Sequence, residues 1–123
     1  MREEMNIPRK IASSLRKAQK LEEQRQRHPQ ASIPLIQLYE QIIDQLEPAW
    51  NPAFYAEVWV QLGNVYNELL IGEQATNVAR SIECYQEALR FQTPDIDPRA
   101  YASTLNNLGS AYSYLLVGNP TLN

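Results

Sequence analysis

The chain has 123 residues, of which 44% are hydrophobic and 20% charged, and its formal net charge is −3. This length corresponds to one domain, and the composition is ordinary for a globular protein with a hydrophobic core. The sequence contains no apolar run of the ~18 to 20 residues that cross a bilayer, and its first residues lack the apolar centre of a secretory signal. We therefore expect one cytoplasmic domain without a membrane span.

The sequence offers little material for catalysis or metal binding. Cys84 is the only cysteine and His28 the only histidine, which excludes an intrachain disulfide and a cysteine-based metal site. There is no glycine-rich phosphate loop and no motif of a catalytic triad. We interpret Cys84 as a buried small residue, with a reactive thiol as the alternative. We expect no enzyme activity, no metal and no cofactor.

The first 30 residues form a basic segment with a net charge of +4, whereas the remainder of the chain carries −7. Asn6 and Pro8 are typical of a helix start, and Pro29 ends the segment. A narrow apolar stripe follows at helical spacing: Ile11, Leu15, Ala18 and Leu21. We interpret the segment as a helix that packs this stripe on the next helix. The alternative is a basic helix that binds nucleic acid or an anionic membrane surface, although four glutamates interrupt the cations and no aromatic residue accompanies them.

Three further helices are predicted from start and stop signals. One begins near Ser32 and runs to about Leu46. Two longer helices begin at Asn51–Pro52 and Asp97–Pro98, where a side-chain acceptor precedes a proline that fits the first helical turn. Glycines that suit the left-handed residue closing a helix end the two longer helices: Gly72 and Gly118.

An internal repeat organises the second half of the chain. The stretch Trp59–Tyr66 (WVQLGNVY) is matched by Leu105–Tyr112 (LNNLGSAY), and Gly63 and Gly109 are 109 − 63 = 46 residues apart. A repeat of this kind indicates a structural unit that recurs along the chain and stacks on its neighbour.

The repeat resembles the tetratricopeptide (TPR) family. Trp59, two residues, Leu62-Gly63, two residues and Tyr66 resemble the family's first-helix signature. The second-helix positions follow at Ser81, Tyr85, Ala88, Phe91 and Pro94. The family's usual repeat has about 34 residues, so the chain resembles an elongated variety over residues 33–123. The resemblance implies an all-α fold of antiparallel helical hairpins, about five helices stacked as a short α-solenoid, and a non-catalytic scaffold role in binding a protein or peptide partner.

On this interpretation the chain is a single domain of four segments. These are a basic N-terminal helix (1–30), the second helix of a degenerate first repeat (31–50), a full repeat (51–96) and the first helix of an incomplete repeat (97–123). The helix after Asp97 then lacks a mate of its own repeat. A terminal cap, a fragment of a longer array and self-association through this uncovered helix are the alternatives, and we favour the latter two.

Each repeated helix carries a glycine at the centre of its apolar face. Glycine inside a helix costs roughly 1 kcal/mol relative to alanine, so a close approach of a neighbouring helix is expected at both Gly63 and Gly109. The face predicted for the first of these helices consists of Trp59, Leu62, Gly63, Tyr66 and Leu70. A second helix, about 77–91, is expected to cover it with Val78, Ile82, Tyr85, Ala88 and Leu89.

The resemblance also implies a concave groove lined by the first helices of each repeat. The positions off the apolar stripe are the candidates for binding a partner there: Glu57, Val60, Asn64, Asn67, Ser103, Asn106, Asn107 and Ser110. Asparagine offers both a donor and an acceptor, which suits pairing with an extended peptide backbone. That these are ordinary polar residues of a helix surface stays the alternative.

Overall fold

The computed structural model describes residues 7–117, and these residues fold into helices joined by short connections. The helices are α1 (Arg9–Gln24), α2 (Ser32–Gln45), α3 (Pro52–Glu68), α4 (Gln74–Leu89) and α5 (Pro98–Val117), with a single 3-10 turn at Pro29–Ala31. No strand occurs between residues 7 and 117. The predicted all-α class with five helices is confirmed for this part of the chain.

The predicted helix starts of α3 and α5 are confirmed in detail. The Oδ1 atom of Asn51 accepts a hydrogen bond from the backbone N–H of Phe54 at 3.0 Å. The Oδ1 atom of Asp97 accepts the equivalent bond from Ala100 at 3.1 Å. Each cap satisfies a backbone donor that the first helical turn leaves without a partner. The predicted cap Asn6 and the predicted terminal glycine Gly118 lie outside the described residues.

The end of α3 differs from the prediction. The helix stops at Glu68, and Leu69 follows in an extended conformation with φ −69° and ψ 125°. This turn buries Leu69, which is 5% exposed, and leaves Leu70 74% exposed, so the assignment of Leu70 to the apolar face was wrong. The side chain of Asn77 explains the geometry, because its Nδ2 donates to the carbonyl of Ile71 at 2.9 Å and lies 3.5 Å from that of Leu69. Gly72 has the left-handed φ of 88° that was predicted for it.

Consecutive helices pack against each other in antiparallel pairs. Along the α3–α4 pair, the Tyr55 ring lies 5.1 Å from that of Phe91, and the hydroxyl of Tyr85 donates to Asn64 at 2.6 Å. Early residues of α3 therefore meet late residues of α4. The α4–α5 pair has the same arrangement, since the hydroxyl of Thr104 donates to Gln92 at 2.7 Å near the connection between them.

Two apolar clusters share α3. One joins α1, α2 and α3, and the other joins α3, α4 and α5. Trp59 packs against both clusters, although its Nε1 is buried and has no hydrogen-bond partner among the described residues. A buried unpartnered donor costs ~1 to 3 kcal/mol, which the burial of the large indole ring offsets.

The apolar edge of α1 packs on α2 as predicted, with Ile11 and Ala18 buried. A polar network closes the end of this contact. Glu22 accepts a hydrogen bond from the buried Tyr39 at 2.8 Å and pairs with Arg25 at 2.8 Å, while Arg25 also pairs with Glu68 of α3 at 2.8 Å. The network therefore ties the end of α1 to both α2 and α3.

The two repeated glycines have different environments. A Cβ atom on Gly63 would lie 2.7 Å from Cε1 of Tyr85 and 3.2 Å from the Cβ of Cys84. The predicted close approach of α4 is therefore confirmed at Gly63. Gly109 is exposed, and a Cβ there would meet nothing within 4 Å. The expectation of a close approach at Gly109 was wrong, because none of the described helices covers this face of α5.

Alanine substitutions should separate the two glycines. Gly63→Ala is expected to destabilise the protein by roughly 1 to 3 kcal/mol, because the hydrogen-bonded Tyr85 ring has little freedom to move away from the new methyl group. Gly109→Ala should be neutral or stabilising by up to ~1 kcal/mol, since alanine is the better helix former and the space is open. Urea unfolding followed by circular dichroism measures both. Equal destabilisation of the two variants would contradict the difference in packing.

Candidate functional site

The exposed side of α5 carries several large apolar side chains. Four large side chains on this helix are between 41% and 52% exposed: Leu105, Tyr112, Tyr114 and Leu116. Arg99 is the only charged residue in the helix sequence. A helix that faces water normally places charged residues opposite its buried stripe, whereas the centres of protein interfaces are depleted of charge. The exposed side of α5 thus carries less charge than is usual for a helix that faces water.

This side of α5 corresponds to the side of α3 that α4 covers. At the 46-residue offset Trp59 is matched by Leu105, and the buried Gly63 by the exposed Gly109. Two hydrogen bonds between helices also recur at the 46-residue offset. The hydroxyl of Tyr66 on α3 donates to Glu40 of α2 at 3.3 Å.

The matching bond links α4 and α5. Gln86 of α4 donates to the hydroxyl of Tyr112 on α5 at 3.1 Å, and both residues lie 46 positions after their counterparts Glu40 and Tyr66. The helix α5 therefore sits on α4 much as α3 sits on α2. What α5 lacks, within the described residues, is a neighbour equivalent to α4.

A shallow groove follows the open side of α5. It is lined by Leu105, Asn106, Gly109, Ser110, Ser113 and Tyr114. Gly109 leaves its floor free of side chain, so that another backbone can approach closely at this point. We call this surface the open face of α5.

The structure distributes the predicted groove residues over several environments. Val60 is 8% exposed and packs in the cluster between α3, α4 and α5, so it lines no open surface. Asn67 is half-buried, and Glu57 is exposed and accepts a hydrogen bond from Gln61 at 2.8 Å. Of the predicted groove residues on α5, Ser103, Asn106 and Ser110 are exposed and Asn107 is half-buried.

Asn64 and Asn107 are brought together, but Asn64 is already engaged. Its Oδ1 accepts from the hydroxyl of Tyr85 at 2.6 Å and lies 3.5 Å from Nδ2 of Asn107. The acceptor predicted to bind a peptide thus supports the packing of α4. Sequence reasoning placed Asn106 and Ser110 in a concave groove, whereas the structure places both in the wall of the open face of α5. The 46-residue offset could have predicted this position for Asn106, because it aligns Asn106 with Val60, which is buried beside α4.

Burial dominates the chemistry of the hydroxyl and thiol groups near Gly63. It raises the pKa of the Cys84 thiol to about 12, with the nearby carboxylates of Glu83 and Glu40 adding to the shift. Burial likewise raises the pKa of Tyr85 to about 12, helped by Glu68. Because the thiolate is the reactive species, Cys84 behaves as the buried small residue that was predicted and not as a nucleophile.

The outer side of α1 is strongly positive. Five exposed cations lie within residues 9–20, and no acid interrupts them there: Arg9, Lys10, Arg16, Lys17 and Lys20. Glu22, the first acid that follows, turns towards Tyr39 and Arg25. The positive surface of α1 and the open face of α5 are separate features of the molecule.

Residues 7–117 hold no group of three His, Cys, Asp or Glu side chains arranged to bind a metal ion. None of the described helices combines the length and apolar character of a membrane-spanning helix. No protein-family model matches the sequence, and neither the curated proteins nor the solved structures gave a match.

The role assigned to Asn64 predicts an energetic coupling with Tyr85. Asn64→Ala should destabilise the protein by roughly 1 to 3 kcal/mol, because it leaves the Tyr85 hydroxyl buried without its acceptor. Tyr85→Phe removes the hydroxyl, so the double variant should lose less than the sum of the two single changes. Urea unfolding of the four proteins measures the coupling. Additive effects would show that the 2.6 Å hydrogen bond does not support the fold.

Stability should also fall in alkaline solution. The unfolded chain releases the Cys84 proton near pH 9.0, whereas the folded chain holds it to about pH 12. The stabilisation from the neutral thiol is therefore complete below pH 9 and is lost progressively as the pH rises towards 12. Cys84→Ala should make this decline shallower, and the tyrosines whose pKa is also raised, Tyr39, Tyr66 and Tyr85, should contribute the remainder. Urea unfolding under reducing conditions across this pH range measures the slope, and parallel declines would contradict the assignment.

Proposed function

We propose that this protein is a non-catalytic interaction module that binds an amphipathic helix of a protein partner on the open face of α5. The observation that carries the proposal is the contrast between Gly63 and Gly109. Equivalent positions of the repeat differ only in that α4 covers the first and none of the described helices covers the second. The resemblance to tetratricopeptide repeats supports the same class of function.

The α3–α4 pair provides the template for the complex. A helix that runs antiparallel to α5 would bury Leu105 and Gly109, as α4 packs against the matching Trp59 and Gly63 of α3. At Gly63 the neighbouring residues of α4 are the small Cys84 and the aromatic Tyr85. We therefore expect the partner helix to place a small residue and an aromatic ring beside Gly109. The absence of charge from this side of α5 favours a partner whose contacting stripe is also uncharged.

A helix is the occupant that the geometry favours over an extended peptide. An extended peptide that gains its affinity from backbone hydrogen bonds adds to the edge of a sheet, and no strand occurs between residues 7 and 117. The open face holds one amide, Asn106, and the amide of Asn64 is already bonded to Tyr85. The concave amide groove implied by the family resemblance is therefore a secondary surface in this proposal.

A peptide with the α4 sequence, residues 74–91 with serine in place of Cys84, is the probe for this function. We expect the labelled peptide to bind the intact protein with saturable fluorescence anisotropy, because the open face repeats the surface that α4 covers on α3. Gly109→Leu should weaken binding by about tenfold or more, since the new side chain occupies the point of closest approach. The same variant should remain folded because the space at Gly109 is open.

The matched control is Ser103→Leu, which adds the same side chain to an exposed position of α5 outside the open face. It should bind the peptide as the parent does, and a scrambled peptide should not bind. Absence of saturable binding to the parent, or equal affinity for Gly109→Leu, would overturn the proposal. A dimer of the parent that Gly109→Leu dissociates, detected by light scattering, would identify a second copy as the occupant in place of another protein.

A further inference from the structure

A cavity of about 440 Å³ lies between α2, α3 and α4. None of the residues that line it belongs to α5, so it is distinct from the open face. Its apolar wall is formed by Ile43, Trp59, Leu62 and Tyr66. A cavity of this size with an aromatic and aliphatic wall is typical of small-molecule and side-chain binding sites.

The rim of the cavity carries a mixed but mainly acidic set of charges. Glu40, Glu83 and Glu87 face one arginine, Arg80. Glu87 forms an ion pair with Arg90, whose Nη1 lies 3.0 Å from the Glu87 Oε1. Glu40 accepts a hydrogen bond from the hydroxyl of Tyr66 at 3.3 Å. Glu83 makes no ion pair within the described part of the chain. The carboxylates therefore outnumber the cations around the opening.

The pKa values of two groups in the wall respond to these charges. Burial is the main cause that raises the pKa of Tyr66, and the charge of Glu40 raises it further. The thiol of Cys84 responds in the same way, first to burial and then to Glu83 and Glu40. Arg80 acts in the opposite direction on both groups without cancelling the effect. The nearby carboxylates thus add to the cost of a negative charge in the cavity, and the same carboxylates attract a positive charge to its rim.

We propose that this cavity binds an organic cation with an apolar stem, of the kind that a lysine or arginine side chain of a partner protein presents. The stem would pack on Leu62 and on the rings of Trp59 and Tyr66, where aromatic faces also attract a cation. The charged end would lie among Glu40 and Glu83 at the rim. The apolar wall binds the stem and the acidic rim binds the charged end. Neither feature alone would select an organic cation.

The tryptophan in the wall makes the test direct. In a Trp50→Phe background Trp59 is the only tryptophan, because the chain contains two, and its fluorescence reports on the cavity. The probes are phenethylammonium and the neutral 2-phenylethanol, which have the same ring and nearly the same size. We expect saturable fluorescence change with the cation, an affinity about fivefold or more above that of the alcohol, and weakening at high salt.

Glu40→Gln with Glu83→Gln tests the acidic rim. Both side chains are exposed, so the double variant should remain folded by circular dichroism and should bind the cation about fivefold more weakly while its affinity for the alcohol stays unchanged. Glu47→Gln, an exposed acid that does not line the cavity, is the matched control and should have no effect.

Equal affinity for the two probes, or unchanged cation binding in the double variant, would overturn the inference, as would the absence of saturation with the cation. The α4 peptide distinguishes this outcome from failure of the proposed function. The rim variants should bind that peptide as the parent does, and Gly109→Leu should bind the cation as the parent does. The experiments can therefore contradict either proposal without contradicting the other.

Discussion

The contact between Gly63 and the Tyr85 ring is the constraint on which the other features depend. Because Gly63 has no side chain, α4 comes close enough for the Tyr85 hydroxyl to reach Asn64 at 2.6 Å. The same approach buries the side chain of Cys84 against α3. It also brings α4 alongside α2, which creates the cavity with Trp59 in its wall. A helix held even slightly farther away would lose the hydrogen bond and leave voids in the second cluster.

The repeat is incomplete within the described residues, and our proposal of a binding surface rests on this incompleteness. Segments of similar sequence fold into similar helices, as the matching caps at Asn51 and Asp97 illustrate. A helix of this pattern is nevertheless built to be covered on two sides, and α5 is covered on only one. In a stack of repeated units each interface is stabilised by its neighbour. The exposed face at Gly109 is therefore the surface that we propose binds a partner, with the α3–α4 pair as its template.

The two surfaces we propose use α4 in different ways. On one side α4 closes the cavity beside α2, and on the other it supports α5 and so defines the open face. A helix bound at α5 would create a second cavity at the equivalent position, but Gln86 and Leu105 would replace Glu40 and Trp59 there. That second cavity would lack the carboxylate and the indole ring. In our two proposals, selectivity for a cation thus belongs to the cavity between α2, α3 and α4, and apolar helix binding belongs to α5.

The sequence by itself determined the features that depend on a few neighbouring residues. The all-α class, the starts of α3 and α5 and the left-handed Gly72 follow from caps, prolines and helical spacing, which act within one or two turns. Only the tertiary structure decided which of two matching glycines is covered, whether Leu69 or Leu70 is buried, and that Asn64 supports α4. These outcomes depend on where a neighbouring helix lies. Periodicity reports which residues share a face, but not which face has a neighbour.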